Sequence, residues 1–431
     1  MTFLDNFKAV EKFCYIIKSA EFLISTGFYN KVFGQPFFCI FYIYGVKQFM
    51  SDFIFRINPN IILGPYTVSR LGQQVREWGS RFMAIVDPFL NEAKVSEKII
   101  QALSDRKIEC IIFSELTEGT STKTIARALS LAKEGHIHGI IAIGGAKALH
   151  VGKIVAALYN EVHDLYTFVD GAVPSTNPLP LICIPTTYRA PLTLKQEVPV
   201  TDARCNQLKF MQVQNAVCKL VLIDPNLMLT LTDNQKALFS IEVIGMAIEA
   251  YISQKANFFS DMFVEKGLEL ISYALDGSPS LEITSPEEVL LAQGGILISM
   301  AVSASALGLD TLLSLSIYSR YHKSKSLVAS ILLPFALEDA CKFKVAKLEK
   351  LAHILRTCPE ETSGAEAANS LTEYIRGKLG IANLPTRLKD LGLTIEQLSL
   401  AVEDVGQTNL INNLPRSMST DELFDFVKMA Y

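Results

Sequence analysis

The sequence predicts an α/β domain built on a parallel β-sheet, followed by an all-α domain. Between residues 82 and 225, short apolar runs alternate with segments of helical periodicity, which is typical of a parallel sheet covered on both faces. After Pro225 the pattern is helical to the end of the chain. We place the two domains at residues 54–229 and 230–431, after an aromatic-rich extension over residues 1–53.

The individual elements follow from the same periodicities. Strands are predicted at 82–87, 108–113, 139–145, 179–187, 196–202 and 218–225, with helices at 97–105, 121–135 and 146–160. In the second domain Thr232 and Asp233 provide capping chemistry for a helix over 232–254. Further helices are predicted at 257–276, 286–309, 326–340, 343–356, 363–379 and 395–404, and no strand is expected among them.

Composition excludes several functional classes. The 431 residues are 49% hydrophobic and 19% charged, which excludes a disordered protein. Lysine and arginine total 40 against 44 acidic residues, so we expect neither a nucleic-acid partner nor a membrane surface. Eight scattered cysteines without a C-x-x-C pair predict reduced thiols in a cytoplasmic protein.

One segment resembles a membrane span. Residues 289–309 contain no charged side chain, and small residues such as Gly295, Ser299 and Ser303 recur at intervals of four. That spacing suits close helix packing in a membrane or inside a large helical domain. Because no second segment is comparable, we favour a buried helix. The N-terminal stretch carries charges through its apolar run, so no secretory signal is predicted.

A glycine turn follows the strand at 139–145. Backbone N–H groups at Gly144 and Gly145, with the N-terminus of the next helix, suit an anion, although such a glycine pair often serves packing alone. Asp87 closes an earlier strand, where a carboxylate can accept hydrogen bonds from a ribose diol. It could equally cap the helix that starts at Pro88, and spacing alone favours the cap.

Eight segments in a fixed order carry a family resemblance. They are IVDPFL (85–90), GGAKALHVGK (144–153), PTTYRAPLT (185–193), VTD (200–202), LIDPNL (222–227), EVIGMAIEAY (242–251), MAVSASALGLDT (300–311) and KSLVASILLPFALE (325–338). From about residue 54 to the end, the chain resembles the iron-dependent (group III) alcohol dehydrogenase family. The resemblance implies a dehydroquinate synthase-like fold, with a Rossmann-like domain, a helical domain, and a cleft between them for a nicotinamide cofactor and substrate.

The resemblance also identifies the family's metal positions. There, one aspartate and three histidines hold a divalent iron or zinc, which acts as Lewis acid on the alcohol oxygen while hydride passes to the nicotinamide. Those positions fall here on Glu242, Met246, Thr311 and Lys325. Thioether, hydroxyl and ammonium groups are poor ligands or none, and His322 alone does not complete a catalytic shell. We therefore expect no iron or zinc.

We expect the former metal site to be repaired by its own side chains. A Glu242–Lys325 ion pair is the simplest arrangement, since it neutralises the retained carboxylate. Met246 would fill the volume of an imidazole, and Thr311 would donate a hydrogen bond to Glu242. In the alternative arrangement both charged side chains swing into the cleft and stay solvated.

Family positions that contact NAD are better preserved. They correspond to Asp87, Gly144, Gly145, Lys153, Thr186 and Thr187. An aspartate at such a position repels the 2′-phosphate of NADP and so favours NAD. Tyr188 and Arg189 replace small residues of the family, which questions the nicotinamide end of the site.

Two functions remain open. The first is a degenerate family member that has lost metal-dependent alcohol oxidation and binds a nucleotide or small molecule in the cleft. The second is an active NAD-dependent alcohol dehydrogenase or reductase with a metal-free site, in which Lys325 or Tyr188 supplies the electrophile or the proton. The extension over residues 1–53 either packs on the nucleotide domain or forms a surface for a partner or a homo-oligomer.

Overall fold

The computed structural model describes residues 59–92, 95–189, 191–214, 217–276 and 285–431. The extension predicted over residues 1–53 lies outside these residues, and the predicted domain boundaries stay predictions. Within the described chain, strands alternate with helices as far as Ile223, and only helices and loops follow.

The described residues contain eight strands. They are β1 Asn60–Leu63, β2 Arg81–Val86, β3 Glu109–Phe113, β4 Gly139–Gly144, β5 Leu181–Pro185, β6 Glu197–Asp202, β7 Gln207–Gln212 and β8 Cys218–Ile223. Six of them form a sheet in the order β1-β8-β5-β4-β2-β3, with every neighbouring pair parallel. Strands β6 and β7 form a separate antiparallel hairpin, so the segment predicted at 196–202 is a strand but lies outside the parallel sheet.

Helices cover the sheet and build the rest of the described chain. Around the sheet lie α1 Leu71–Val75, α2 Pro88–Glu92, α3 Val95–Ser104, α4 Thr122–Glu134, α5 Ala146–Leu158 and α6 Leu165–Val169. The helical part comprises α7 Asp233–Ile252, α8 Phe258–Asp276, α9 Glu287–Ala304, α10 Leu309–Tyr321, α11 Lys325–Ala340, α12 Val345–Ile354, α13 Gly364–Ile381, α14 Ile395–Gly406 and α15 Thr420–Met429. The described residues beyond Ile223 contain no strand, which confirms the predicted all-α character.

Local sequence signals account for the element that enters the helical part. The Thr232 hydroxyl accepts a hydrogen bond from the Gln235 backbone N–H, and the Gln235 side chain accepts one from the Thr232 backbone N–H. This reciprocal capping box satisfies two donors that a helix leaves unpaired at its N-terminus. The capping predicted at Thr232 is confirmed.

Helix α9 is the apolar segment that resembled a membrane span. It is the one helix among the described residues that is long and apolar enough to cross a membrane, and half of that stretch is buried inside the protein. Its Gly294 packs against Gly267 of α8, so that an added Cβ at Gly294 would lie 2.9 Å from the Gly267 carbonyl oxygen. The predicted close helix packing is confirmed. The predicted end of the helix at 309 is wrong, because α9 ends at Ala304 and a new helix begins at Leu309.

The parallel sheet determines where a site can form. Strands β2, β4 and β5 are neighbours that run in one direction, so the residues after each strand meet at the same edge of the sheet. Asp87 follows β2, Gly145 follows β4, and Thr186 follows β5. In open parallel sheets this carboxyl edge is where ligands bind.

The contact between α8 and α9 predicts opposite effects for two glycine substitutions. Gly294→Ala should lower the free energy of unfolding by about 1–3 kcal/mol, because its Cβ would lie 2.6 Å from Cγ1 of Ile271. Gly377→Ala in α13 is the matched control, since its Cβ meets nothing within 4 Å. That change should raise the free energy of unfolding by about 0.5–1 kcal/mol through helix propensity. Urea denaturation of both variants measures the difference, and equal effects would contradict the close approach.

Candidate functional site

A cleft of about 560 Å³ lies along the carboxyl edge of the sheet. The strand ends contribute Asp87, Gly145, Thr186 and Thr187 to its wall. The opposite wall comes from helices α10 and α11, and includes Tyr318, His322, Lys325 and Ser326. The structure therefore brings four of the six predicted cofactor positions together with one of the predicted metal positions.

The glycine turn is shaped by a close backbone approach. Gly144 has a φ of +140°, and a Cβ there would lie 2.7 Å from Cβ of Asp87. Only glycine fits this position without strain, so the predicted packing role of Gly144 is real. Gly145 is the N-cap of α5, lines the cleft, and has no atom within 4 Å of an added Cβ. The N-terminus of α5 thus has open space in front of it.

Asp87 caps a helix and also lines the cleft. One of its carboxylate oxygens accepts a hydrogen bond of 3.3 Å from the Phe89 backbone N–H, as expected of a residue capping α2. The same residue lines the cleft, where it stands beside Gly145. Capping the helix therefore leaves the carboxylate at the cleft wall.

Lys153 is buried and does not line the cleft. It is 2% exposed, and its ammonium donates to the backbone carbonyls of Leu192 at 2.6 Å and Lys195 at 2.8 Å. Burial lowers its pKa from the usual lysine value. Lys153 thereby ties α5 to the loop that follows Arg189.

The ion pair predicted between Glu242 and Lys325 is present. The Lys325 ammonium lies 2.6 Å from Oε1 of Glu242, which is 2% exposed in its side chain. The alternative, with both groups solvated in the cleft, is wrong, because the carboxylate is buried and only the cationic partners line the cleft. The pair joins the middle of α7 to the first residue of α11.

Arg189 is a second cation on the same carboxylate, which sequence reasoning did not place there. Its Nη1 donates to Oε2 of Glu242 at 2.7 Å and to the Ser326 hydroxyl at 2.7 Å. The guanidinium carbon lies 3.9 Å from the centre of the Phe239 ring, which holds the group flat against α7. We call Arg189, Glu242, Lys325 and Ser326 the ion cluster.

Tyr188 fixes the loop that carries Arg189. Its hydroxyl donates to the Lys236 carbonyl at 2.7 Å and lies 2.9 Å from the Ser240 hydroxyl, both on α7. Its backbone packs so closely on Gly295 of α9 that a Cβ there would lie 2.3 Å from the Tyr188 carbonyl oxygen. Burial raises the pKa of this phenol well above its usual value. Tyr188 therefore anchors the loop and does not stand at the cleft wall as an acid.

The charges of the ion cluster determine the ionisation of Glu242. Burial alone would raise the pKa of this carboxyl, but the opposing charges of Arg189 and Lys325 outweigh burial and lower the pKa to about 2. Glu242 is consequently ionised across the physiological pH range. Both of its oxygens are in contact with cationic nitrogen atoms.

The remaining two predicted metal positions are Met246 and Thr311. Met246 is buried one turn after Glu242 on α7, and its filling of an imidazole's volume stays a prediction. The predicted bond from Thr311 to Glu242 is wrong. Thr311 donates instead to Glu249, through its backbone N–H at 2.9 Å and its hydroxyl at 2.5 Å. Glu249 is seven residues beyond Glu242, which is about 10 Å along a helix axis.

Glu249 caps the N-terminus of α10 and has an acidic neighbour. An added Cβ at Gly308 would lie 2.4 Å from Cγ of Glu249, so glycine permits this approach. Asp310 is 3% exposed, and within the described part of the chain neither of its carboxylate oxygens has a hydrogen-bond partner. Burial and then the nearby Glu249 raise the pKa of Asp310 well above its usual value.

Histidines contribute little metal-binding chemistry to this cleft. His150 is buried, and its pKa is lowered by burial and by the charges of Lys153 and Lys325. His322 lines the cleft at the end of α10, in the left-handed conformation. Among the residues that the structure describes, no three histidine, cysteine, aspartate or glutamate side chains are grouped so as to hold a metal ion.

The architecture is a parallel sheet whose carboxyl edge faces helices across a cleft. Two family models match this chain. The model described as iron-containing alcohol dehydrogenase matches residues 58–225, and the C-terminal model of the Fe-containing alcohol dehydrogenase family matches residues 237–431. The chain therefore belongs to the iron-containing alcohol dehydrogenase family, as its motifs predict. The family consists of NAD-linked oxidoreductases that normally bind iron.

Individual relatives are distant in sequence and close in fold. The chain is 23% identical over 372 residues to the probable alcohol dehydrogenase EutG of Escherichia coli, covering 86% of this chain and 92% of that protein. It is 22% identical over 380 residues to lactaldehyde reductase of the same species, covering 87% and 98%. The solved structure of a 1,3-propanediol oxidoreductase superposes with a TM-score of 0.80 at 20% identity, covering 88% of this chain and all of that one.

The ion cluster predicts a loss of stability in acid. Glu242 has a pKa of about 2 in the folded protein, against about 4.3 when unfolded. Its ionised form therefore stabilises the fold above about pH 4.3, and this contribution disappears as the pH falls towards 2. We expect the stability difference between wild type and Glu242→Gln, measured by urea denaturation, to shrink between pH 5 and the acid end of the range.

Glu373→Gln is the matched control for that measurement. Glu373 is also paired with an arginine, but its side chain is 72% exposed. Its substitution should change stability little at any pH, because exposed ion pairs contribute little. A Glu242→Gln difference that stays constant down to pH 2 would contradict the depressed pKa.

Asp310 predicts the opposite pH dependence. An acid whose folded pKa is raised costs stability once the pH exceeds its unfolded pKa, and the cost grows as the pH rises towards the folded value. Asp310→Asn should therefore stabilise the protein by about 1–3 kcal/mol at pH 8 and by less at pH 4. Melting temperatures at both pH values measure this. The exposed Asp425→Asn change serves as control, and equal shifts in both variants would contradict the buried charge.

Proposed function

We propose that this chain is a family member in which metal-dependent alcohol oxidation is lost and the cleft serves to bind a nucleotide and a small molecule. The ion cluster is the observation that carries the proposal. Glu242 is the one metal-position residue with a good ligand group, and both of its oxygens are held by cations at 2.6 and 2.7 Å.

The chemistry of these side chains does not fit a divalent iron or zinc. A metal at Glu242 would have to displace Lys325 or Arg189, and it would then stand beside two like charges. In place of imidazoles, Met246 offers a thioether and Thr311 a hydroxyl, and that hydroxyl already donates a hydrogen bond to Glu249.

The nucleotide part of the proposal rests on the glycine turn and its neighbours. Gly145 is the N-cap of α5 and lines the cleft, so the backbone N–H groups and dipole of this helix N-terminus favour a phosphate there. Asp87 lines the same cleft and is placed for a ribose diol, while Thr186 and Thr187 extend the wall. NAD or its adenosine half is the nucleotide we propose.

Metal binding tests the first part. Purified protein incubated anaerobically with ferrous iron, or with zinc, and then desalted should retain far less than one metal per chain, measured by plasma mass spectrometry. A variant combining Arg189→Ala, Met246→His and Lys325→His should retain more zinc, since it removes both cations and supplies two imidazoles. Replacing the same three residues by alanine, leucine and leucine provides the matched control. Stoichiometric iron in the wild type would overturn the proposal.

A second function is favoured by the charge of the ion cluster. Two cations and one carboxylate leave one positive charge in excess, which is the same net charge that a divalent metal and one carboxylate would leave. Such a site could stabilise a developing alkoxide during hydride transfer to NAD without a metal. This would be a metal-free dehydrogenase or reductase, with Lys325 as the group nearest the reacting oxygen.

Calorimetry with NAD and ADP-ribose distinguishes the two functions. If only the adenosine half is recognised, both ligands should bind with dissociation constants within about threefold of each other, because the nicotinamide adds no contact. NAD binding that is tighter by tenfold or more would favour the metal-free enzyme. Binding of neither ligand would overturn the nucleotide part of the proposal while leaving the metal result unaffected.

A further inference from the structure

We call the part of the cleft wall formed by Arg189 and Lys325 its inner end, and it carries an excess of positive charge. The single carboxylate between these two cations, Glu242, is buried behind them. One carboxylate neutralises one cation, so one positive charge remains in the ion cluster, while Asp87 and Lys147, which also line the cleft, are of opposite sign. Uncompensated charge in a partly buried site is unfavourable, and a ligand of opposite charge relieves it.

Some hydrogen-bond donors of the cleft-wall residues have no partner in the described part of the chain. Within the described part of the chain, Nε of Arg189 is buried without a hydrogen-bond partner, and so is the hydroxyl of Thr187, another residue of the cleft wall. The Lys325 ammonium has three donors, of which one is directed to Glu242. Buried polar groups in native proteins are nearly always paired, so unpaired donors at a cleft wall indicate a ligand that accepts hydrogen bonds.

Burial and packing make this arrangement rigid and strong. The side chains of Arg189 and Lys325 are 19% and 16% exposed, so their charges are screened by water far less than those of surface residues. The Phe239 ring and the Ser326 hydroxyl hold the guanidinium from two sides. The guanidinium is therefore positioned before any ligand arrives, which reduces the entropic cost of binding.

We propose that the inner end of the cleft binds an oxyanion, a carboxylate or phosphate group of the small-molecule ligand, between Arg189 and Lys325. The proposal rests on the proposed absence of a metal at Glu242, and it replaces the neutral alcohol expected of the family by an anionic ligand. An oxyanion neutralises the excess charge and accepts from the planar guanidinium, the ammonium and the Thr187 hydroxyl. A neutral alcohol would leave the charge uncompensated.

Malonate and malonamide test the charge requirement directly, since they differ little in shape. Calorimetry on chelator-treated wild-type protein without nucleotide should show malonate binding at least about tenfold more tightly than malonamide. Inorganic phosphate, titrated in parallel, identifies which oxyanion is preferred. Equal affinities for malonate and malonamide would overturn the proposal, and this comparison requires no variant to fold.

A charge series assigns the binding to the ion cluster. Glu242→Gln adds one net positive charge and should tighten malonate binding several-fold, whereas Lys325→Met removes the excess and should weaken it by about tenfold. Lys428→Met is the control, because Lys428 is also paired with a carboxylate but is 48% exposed and does not line the cleft. Circular dichroism confirms that each variant is folded.

The remaining outcomes distinguish two locations for the bound anion, the ion cluster and the glycine turn. Lys147 is the other lysine at the cleft wall, beside the glycine turn. If Lys147→Met abolishes malonate binding and Lys325→Met does not, the anion binds at the turn and the proposal is wrong. Failure of the proposed function would appear separately, as stoichiometric iron in the metal analysis, whereas failure here appears as equal malonate and malonamide affinities in metal-free protein.

Discussion

A buried carboxylate held between two cations is the interaction on which the site depends. Glu242 lies in the middle of α7, and its partners come from the loop after β5 and from the start of α11. An unpaired carboxylate at this depth would be costly, so the three segments are held together by the need to compensate one charge. Arg189 and Lys325 both line the cleft, so the charge that holds these segments together also lies at the cleft wall.

The sheet and its helices provide the rest of the geometry. Parallel strands bring Asp87, the glycine turn and Thr186 to one edge, although these residues are far apart in the chain. Tyr188, bonded to α7 and packed on α9, fixes the loop between the sheet and the helical part. The buried ammonium of Lys153 ties the same loop to α5. A rigid frame thus surrounds the cleft, and the ligand-facing groups are few.

Much of the fold could be predicted from periodicity, and the exceptions have physical reasons. Strands β4 and β5 are apolar along their whole length and β2 is apolar after Arg81, as expected of buried parallel strands. Strand β7, QLKFMQ, mixes polar and apolar residues because it belongs to a two-stranded hairpin, and it carries no comparable signal. The break between α9 and α10 falls in an apolar segment, where composition gives no boundary.

Charge compensation predicted one contact of the site correctly, whereas matched positions in the chain predicted another contact wrongly. Compensation of one buried carboxylate predicts the Glu242–Lys325 pair, and the structure confirms it. The family resemblance placed Thr311 at the same site, but a matched position in the chain does not determine the partner of a side chain. Arg189 could have been found by asking what replaces a divalent charge, since a single lysine replaces only half of it.

The contact between Glu249 and Gly308 has a consequence for how the sequence can vary. The glutamate bonds the first turn of α10 while the glycine leaves room for its side chain. Any larger residue at 308 would push the carboxylate off the helix end, and a shorter acid at 249 would leave the glycine without a function. The two positions, distant in the chain, are therefore expected to covary, and a homologue that loses one should be found to have lost the other.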